Sequence, residues 1–261
     1  MRRSRITSAT PRKKTGGERA VRRGRITIKS GEALPVTMQL EKYKEQIPEK
    51  VYTLLARRGF ATLRPCQTKA IAAGLFKDRN LLVCTPTASG KTLVGELAAL
   101  NAVLHDKGKA VYVVPLRALA SEKHKQFTKD YPGLKIALTS GDVDSSDSYL
   151  AAYDIIITTS EKLDSLIRHR TPWLPSIRTV IIDEIHLLND AGRGPTLEVL
   201  ITILRKVLPK LQVIGLSATI GNPQELAEWL SAELVLDSWR PVRLDKGVYL
   251  DGKITFEEKK D

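Results

Sequence analysis

Apolar residues in this chain gather into short unbroken runs separated by stretches with helical spacing. Leu81–Cys84, Ala110–Val114, Lys135–Thr139, Asp154–Thr158, Thr179–Asp183, Gln212–Ser217 and Glu233–Leu236 are Val/Ile/Leu-rich and do not alternate with polar residues. Runs of that kind are strands covered on both faces. Between them apolar residues recur every third or fourth position: first Leu93, Leu97, Leu100 and Val103, then within Ala118–Phe127, Glu161–His169, Thr196–Val207 and Pro223–Leu230. Folded structure is expected from near Leu40. Ile47–Arg58 carries Ile47, Val51, Leu54 and Leu55 at helical spacing and ends at Gly59, a C-cap; Phe60–Pro65 reads as a loop and Cys66–Phe76 as a helix. Strands alternating with helices predict an α/β fold, a doubly wound, mostly parallel sheet with helices on both faces. Ligands in such sheets sit beyond the carboxyl ends of the strands. Three polar stretches fall there: Thr85–Thr92, Asp183–His186 and Ser217–Thr219.

Charge changes the picture at one end only. The net charge is +13, but residues 1–30 hold eleven of the 42 Lys/Arg and one of the 29 Asp/Glu, a net of +10. The rest keeps 31 basic against 28 acidic residues, a net of +3. Residues 1–36 therefore read as a disordered basic extension. It is either a nucleic-acid-binding arm or a solvated tail, and Met38 is an alternative start for the folded unit. No apolar run approaches the ~20 residues of a membrane span. The N-terminus lacks the apolar core of a secretory signal. The two cysteines, Cys66 and Cys84, share no metal-ligand spacing with each other or with the four histidines. An intracellular, cytoplasmic setting follows as the expectation.

The stretch Asn80–Leu93, NLLVCTPTASGKTL, runs strand, small-residue turn, GKT, helix. That is the order of a phosphate-binding loop, with Thr85 where the first glycine usually stands. Backbone N–H groups of Thr85, Pro86, Thr87, Ala88, Ser89 and Gly90 (Pro86 excepted) and the positive end of the new helix would cradle a di- or triphosphate. Lys91 would reach the β/γ oxygens, and Thr92 would hold Mg²⁺. The apolar strand ending in Asp183-Glu184 supplies the acidic partner. Asp183 would hold Mg²⁺ through water, and Glu184 would orient and deprotonate the attacking water. Gln67, one element upstream, is a capping residue or an adenine contact, since a carboxamide donates and accepts together.

TPTASGKT, DEIH and Ser217-Ala218-Thr219, in this order, resemble motifs I, II and III of superfamily 2 helicases. VVPLRALASEK, SGD, TTSEKLDSLIR, HLLNDAGRGPTLE, LSATIGNPQELAEWL and SWRPVRL extend the resemblance to archaeal Ski2-like, fork-acting DNA helicases, over roughly Tyr52 to Gly252. The resemblance implies a RecA-like ATPase motor domain using ATP and Mg²⁺, with Gln67 sensing adenine. It implies that His186, Ser217, Ala218 and Thr219 couple nucleotide state to domain movement. It further implies that Arg117, the turn Ser140-Gly141-Asp142, and Thr159, Ser160 and Lys162 line the path of a single strand, for which loop caps or solvated turns are the plainer reading.

Such helicases also carry a second RecA-like domain with a QxxGRxGR arginine-finger motif, a winged helix and a helical ratchet, none of which matches anything in these 261 residues. Three domains of the reading follow: the extension 1–36, a RecA-like domain 37–237, and an exit segment 238–261 that is a short charged tail leading toward a second motor domain in cis or trans. Single-stranded or forked DNA is the expected partner. An RNA substrate, and an ATP-binding regulatory module without turnover, stay open as alternatives.

Overall fold

The computed structural model describes residues 37–141, 147–242, 247–250 and 253–256; the basic extension and Asp142 lie outside the described residues. The chain enters through a small antiparallel ladder of β1 (Met38–Gln39) and β2 (Thr62–Leu63). The stretch expected to be a plain loop between Phe60 and Pro65 thus contains a strand too short to leave a pattern. Between them, α1 (Glu49–Arg57) ends as expected at Gly59, where φ is 77°. Phe60 N–H bonds to Leu55 O and Gly59 N–H to Ala56 O, so a left-handed glycine satisfies the last carbonyls.

The helix expected over Cys66–Phe76 is α2 (Pro65–Ala72) followed by a 3₁₀ turn, Leu75–Lys77. Gly74 breaks it: φ is 102°, and a Cβ there would lie 2.7 Å from Arg79 Cδ. Next come β3 (Leu81–Cys84), α3 (Lys91–Leu104), β4 (Lys109–Val114), α4 (Arg117–Asp130), β5 (Ile136–Thr139), β6 (Ile155–Thr159) and α5 (Ser160–Arg168). The series continues with β7 (Ile177–Ile182), α6 (Gly194–Val207), β8 (Gln212–Ser217), α7 (Pro223–Leu230) and β9 (Glu233–Leu236). Strands β3 to β9 form one seven-stranded sheet in the order β5-β6-β4-β7-β8-β3-β9. Every pairing in it is parallel, as the α/β reading requires.

Successive residues of each strand feed opposite layers. Leu81 and Val83 pack with Tyr112, Ile181 and Leu216 beneath α1 to α4, while Leu82 and Cys84 pack with Val111, Val113 and Ile182 beneath α5 to α7. Burying each such Leu or Ile contributes roughly 1.5–3 kcal/mol relative to exposure, which explains strands without polar alternation. α3 packs tightly on the sheet at Gly95, where a Cβ would meet Ile181 Cγ2 at 2.8 Å. Glu96, one residue on, is buried and ion-paired to Arg58 at 2.9 Å, and Tyr131 also donates to it. A buried carboxylate persists only with such partners.

After β9 the chain does not run on as a mere tail: β10 (Gly247–Leu250) and β11 (Lys253–Phe256) pair antiparallel, Leu250 opposite Lys253. The Asp251-Gly252 pair between them is a strong hairpin signal that the surrounding charges concealed.

Candidate active site

β8 lies between β3 and β7, so the strand ends that carry the three polar stretches are immediate neighbours. Cys84 pairs with Ser217 in register, and Thr85 N–H donates to Ser217 O at 3.2 Å. Two left-handed residues shape the loop, Ala88 (φ 64°) and Gly90 (φ 98°). Thr85, in the place of the usual glycine, is fully buried and hydrogen-bonds Ser89 Oγ at 2.6 Å, closing the loop on itself. A Cβ on Gly90 would lie 2.6 Å from Gln67 Nε2, so glycine is required by both space and φ.

α2 braces this loop from outside. Gln67 Nε2 donates to Gly90 O at 3.0 Å, and its Oε1 accepts from Arg64 N at 2.8 Å. The carboxamide is therefore largely engaged inside the protein, with one N–H and one lone pair left for a base. Cys66 Sγ donates to Ser89 O, and burial pushes its thiol up to about 11, so it stays a neutral donor. Arg64 donates to Ala88 O at 2.7 Å and lies over the Trp239 ring at 5.5 Å. The segment leaving β9 is tied to the same helix. Lys69 bonds Leu236 O at 2.9 Å and Asp237 Oδ2 at 2.8 Å, and Asp237 N–H donates to Cys84 O.

α3 begins at the loop with Lys91 and Thr92 and has no acidic residue in its first turn, leaving its positive end open to an anion. Lys91 is buried, and its Nζ lies 3.6 Å from Glu184 Oε1. Thr92 is half-buried. Glu184 takes a left-handed backbone (φ 53°, ψ 44°) directly after Asp183, and its other oxygen lies 3.4 Å from His186 Nδ1. Asp183 is held from two sides, by Tyr112 OH at 3.1 Å and by Glu184 N–H at 3.1 Å. Burial, then the neighbouring Asp183, keeps the Tyr112 phenol well above its usual pKa, so it remains a donor. Tyr112 was not among the expected site residues; its role depends on β4 lying beside β7, which no local pattern announces.

Two buried polar atoms beside this centre, His186 Nδ1 and Ser217 Oγ, have no hydrogen-bond partner among the described residues. Ala218 is half-buried and Thr219 exposed. His186 also borders a concavity of about 590 Å³ with Asn189, Ile220 and Asn222. A second concavity, about 610 Å³, lies at Asp78–Asn80 and Lys210–Leu211, at the opposite ends of the strands, and shares no residue with the site.

The residues assigned to a nucleic-acid path occupy the other half of the sheet's carboxyl edge, after β4, β5 and β6. Arg117 is exposed at the first turn of α4, Ser140 is half-buried, and Gly141 is exposed. Thr159 and Ser160 are buried, Thr159 capping α5 by accepting from Lys162 N–H at 3.4 Å. Lys162 departs from expectation: its side chain is 3% exposed and its Nζ lies 3.1 Å from Asp147 Oδ2. A lysine held there does not reach outward to a phosphate.

No group of three or more His, Cys, Asp or Glu among the described residues is arranged to hold a metal ion. A magnesium ion that arrives with a nucleotide fits this donor set, because it takes few protein ligands and completes its shell with phosphate oxygens and water. No helix among the described residues is long and apolar enough to cross a membrane.

The profile of the DEAD/DEAH box helicase family matches residues 64–226. The ATP-dependent DNA helicase Hel308 of Pyrococcus horikoshii is 49% identical over 225 residues, 85% of this chain and 31% of that protein. Hel308 of Methanocaldococcus jannaschii is 51% identical over 216 residues, 80% of this chain and 18% of that protein. The crystal structure of DUF1998 helicase MrfA bound to DNA and AMPPNP superposes with a TM-score of 0.65 at 28% identity, over 76% of this chain and 30% of that one. The chain spans about a third or less of the length of these relatives. With the parallel RecA-like sheet, the loop–helix junction and the paired carboxylates in place, the match over residues 64–226 means that this chain belongs to the DEAD/DEAH box helicase family.

Proposed function

We propose that the chain is the first motor domain of an ATP-dependent DNA helicase, binding Mg-ATP at Thr85–Thr92 and hydrolysing it when a second RecA-like domain closes on it. The observation that carries this is the Lys91–Glu184 contact, 3.6 Å at the junction of β3, β7 and α3. It joins the cation suited to a γ-phosphate to the carboxylate suited to activating water. Lys91 would exchange Glu184 for phosphate oxygens as ATP enters, leaving the Glu184 carboxylate able to take a proton from the attacking water. Thr92 and Asp183 would hold Mg²⁺, which supplies charge neutralisation on the β- and γ-phosphates when bound. Asp183 is suited to this because Tyr112 and the Glu184 N–H fix its orientation and leave lone pairs outward.

His186, Ser217 and Thr219 would report the nucleotide state. His186 Nδ1, 3.4 Å from the Glu184 carboxylate, and Ser217 Oγ make no hydrogen bond among the described residues, which supports a relay that forms its bonds in another state. Single-stranded or forked DNA is the proposed substrate, supported by relatives named as DNA helicases and by a neighbour solved with DNA. Arg117, Ser140, Gly141, Thr159 and Ser160 are its proposed contacts. Titration with a fluorescent ATP analogue tests the first step: Lys91→Ala is expected to abolish Mg-dependent binding in a chain that still melts cooperatively. Binding unchanged in that variant would refute the phosphate-loop assignment.

A further inference from the structure

Lys162 and Asp147 join three segments that the sequence keeps apart. Lys162 N–H caps back to Thr159, at the end of β6, while its Nζ reaches Asp147 at 3.1 Å. The same Asp147 oxygen accepts from Thr139 Oγ1, the last residue of β5, at 2.7 Å. Trp173 Nε1 pins the Asp147 backbone carbonyl at 3.3 Å, and Asp147 itself sits in a left-handed conformation, φ 39°. β5 and β6 are adjacent, Thr139 facing Thr158 in register. The pair therefore lies where the Ser140–Gly141 segment leaves one strand and the Thr159–Ser160 segment leaves the next.

We infer that Asp147 and Lys162 are positioning residues for nucleic acid: their buried ion pair sets the spacing between these two segments so that both meet one backbone together. The inference rests on the DNA-strand path proposed above and deepens it. A lysine near such a path is ordinarily taken as a phosphate contact, and the two roles make opposite demands on Asp147. If Lys162 touched a phosphate directly, Asp147 would compete for it, and neutralising the carboxylate would tighten binding. As half of a spacer, Asp147 loses its charge attraction for the buried Lys162 when it is neutralised, leaving only the weaker bonds that a carboxamide oxygen accepts from Lys162 and Thr139. Binding then weakens even though the chain has become more positive.

The test is fluorescence anisotropy of a labelled oligothymidylate with the full chain, over a salt series so that the +10 of residues 1–30 is separated from the folded contacts. Asp147→Asn is expected to weaken single-strand binding by roughly tenfold, as for loss of one charge-assisted phosphate bond. Fluorescent-ATP affinity stays at the parent value. Thr139→Val, which deletes one hydroxyl and no charge, is expected to weaken it by a smaller factor in the same direction, and serves if Asp147→Asn does not fold. Binding that is unchanged or tighter in a folded Asp147→Asn, or unchanged in Thr139→Val, overturns the positioning role. Failure of the parent chain to bind the oligonucleotide at all overturns the strand path first, and the pair's role with it. Equal losses of ATP and single-strand affinity mean a general structural role and likewise overturn it.

Discussion

Replacing Glu184 by Gln separates binding from chemistry, and the structure sets the size of each effect. Glu184 Oε1 stands 3.6 Å from Lys91 Nζ, and the two side chains are 34% and 9% exposed. At that distance the bare attraction is roughly 4–5 kcal/mol with an effective dielectric constant of about 20. Partial exposure of Glu184 screens it and brings the net value to about 1 kcal/mol, typical of accessible pairs. ATP must displace this contact, so removing the charge is expected to tighten nucleotide binding by up to about fivefold. Hydrolysis moves the other way. A positioned general base contributes ~10²–10⁴ in rate, and a carboxamide takes no proton, so turnover is expected to fall by that factor. Single-turnover release of phosphate from Mg-ATP, with protein in excess, reads the chemical step, and equilibrium titration reads the binding. Hydrolysis at the parent rate would refute the base assignment. Weakened ATP binding would refute the competition between Glu184 and phosphate for Lys91.

Gly95→Ala places a Cβ 2.8 Å from Ile181 Cγ2, with Leu216 and Tyr112 atoms at 3.2 Å. Overpacking of ~1–3 kcal/mol exceeds the helix gain of up to ~1 kcal/mol, so the melting temperature is expected to fall by about 2–4 °C per kcal/mol of net loss; a higher one would show that α3 has room to shift. Deleting residues 1–30 is expected to flatten the dependence of single-strand affinity on salt, by about 0.7 in log–log slope for each phosphate that is no longer neutralised, with ATP affinity intact. An unchanged slope would make that segment a solvated extension. The 261-residue chain alone is expected not to displace a strand from forked DNA, because opening and closing of a cleft needs a second wall and a cationic finger worth ~10³–10⁵ in rate. Addition of a matching second domain in trans is expected to raise ATP turnover. Robust ATP-dependent displacement by the chain alone would sink that expectation.

The layered α/β architecture was legible because parallel strands buried on both faces have to be apolar throughout. β3, β8, α7 and β9 appear with the boundaries their runs suggest. The positions of the Thr85–Thr92 loop and of the Asp183-Glu184 pair were legible for a related reason, since each is a break in a run at a strand's carboxyl end. What sequence left out depends on partners distant in the chain. Gln67 read as a capping residue or a base contact; its cap to Arg64 N–H is local, but its bond to Gly90 O exists only once α2 has packed on the loop. Lys162 read as part of a strand-lining segment or a loop cap, and its burial went unseen because Asp147, which pairs with it, lies on another segment. Tyr112 passed as one more apolar strand residue until strand order set its hydroxyl against Asp183. β1 and β2 are too short to show any period, and Gly74 alone marked the break that ends α2 early.

The fastening of the chain beyond β9 has a mechanical consequence. Tension applied past Trp239 meets Lys69 and Arg64 through the Lys69–Asp237 bridge and the Arg64–Trp239 contact, and so enters the helix that braces the Thr85–Thr92 loop. β9 runs parallel to β3 from Leu81–Glu233 to Cys84–Leu236. A pull along the strand direction from Leu236 therefore loads those hydrogen bonds together, in shear, instead of peeling them one after another. A load on the exit segment is thus shared along the whole length of the β3–β9 pairing before it reaches the Thr85–Thr92 loop.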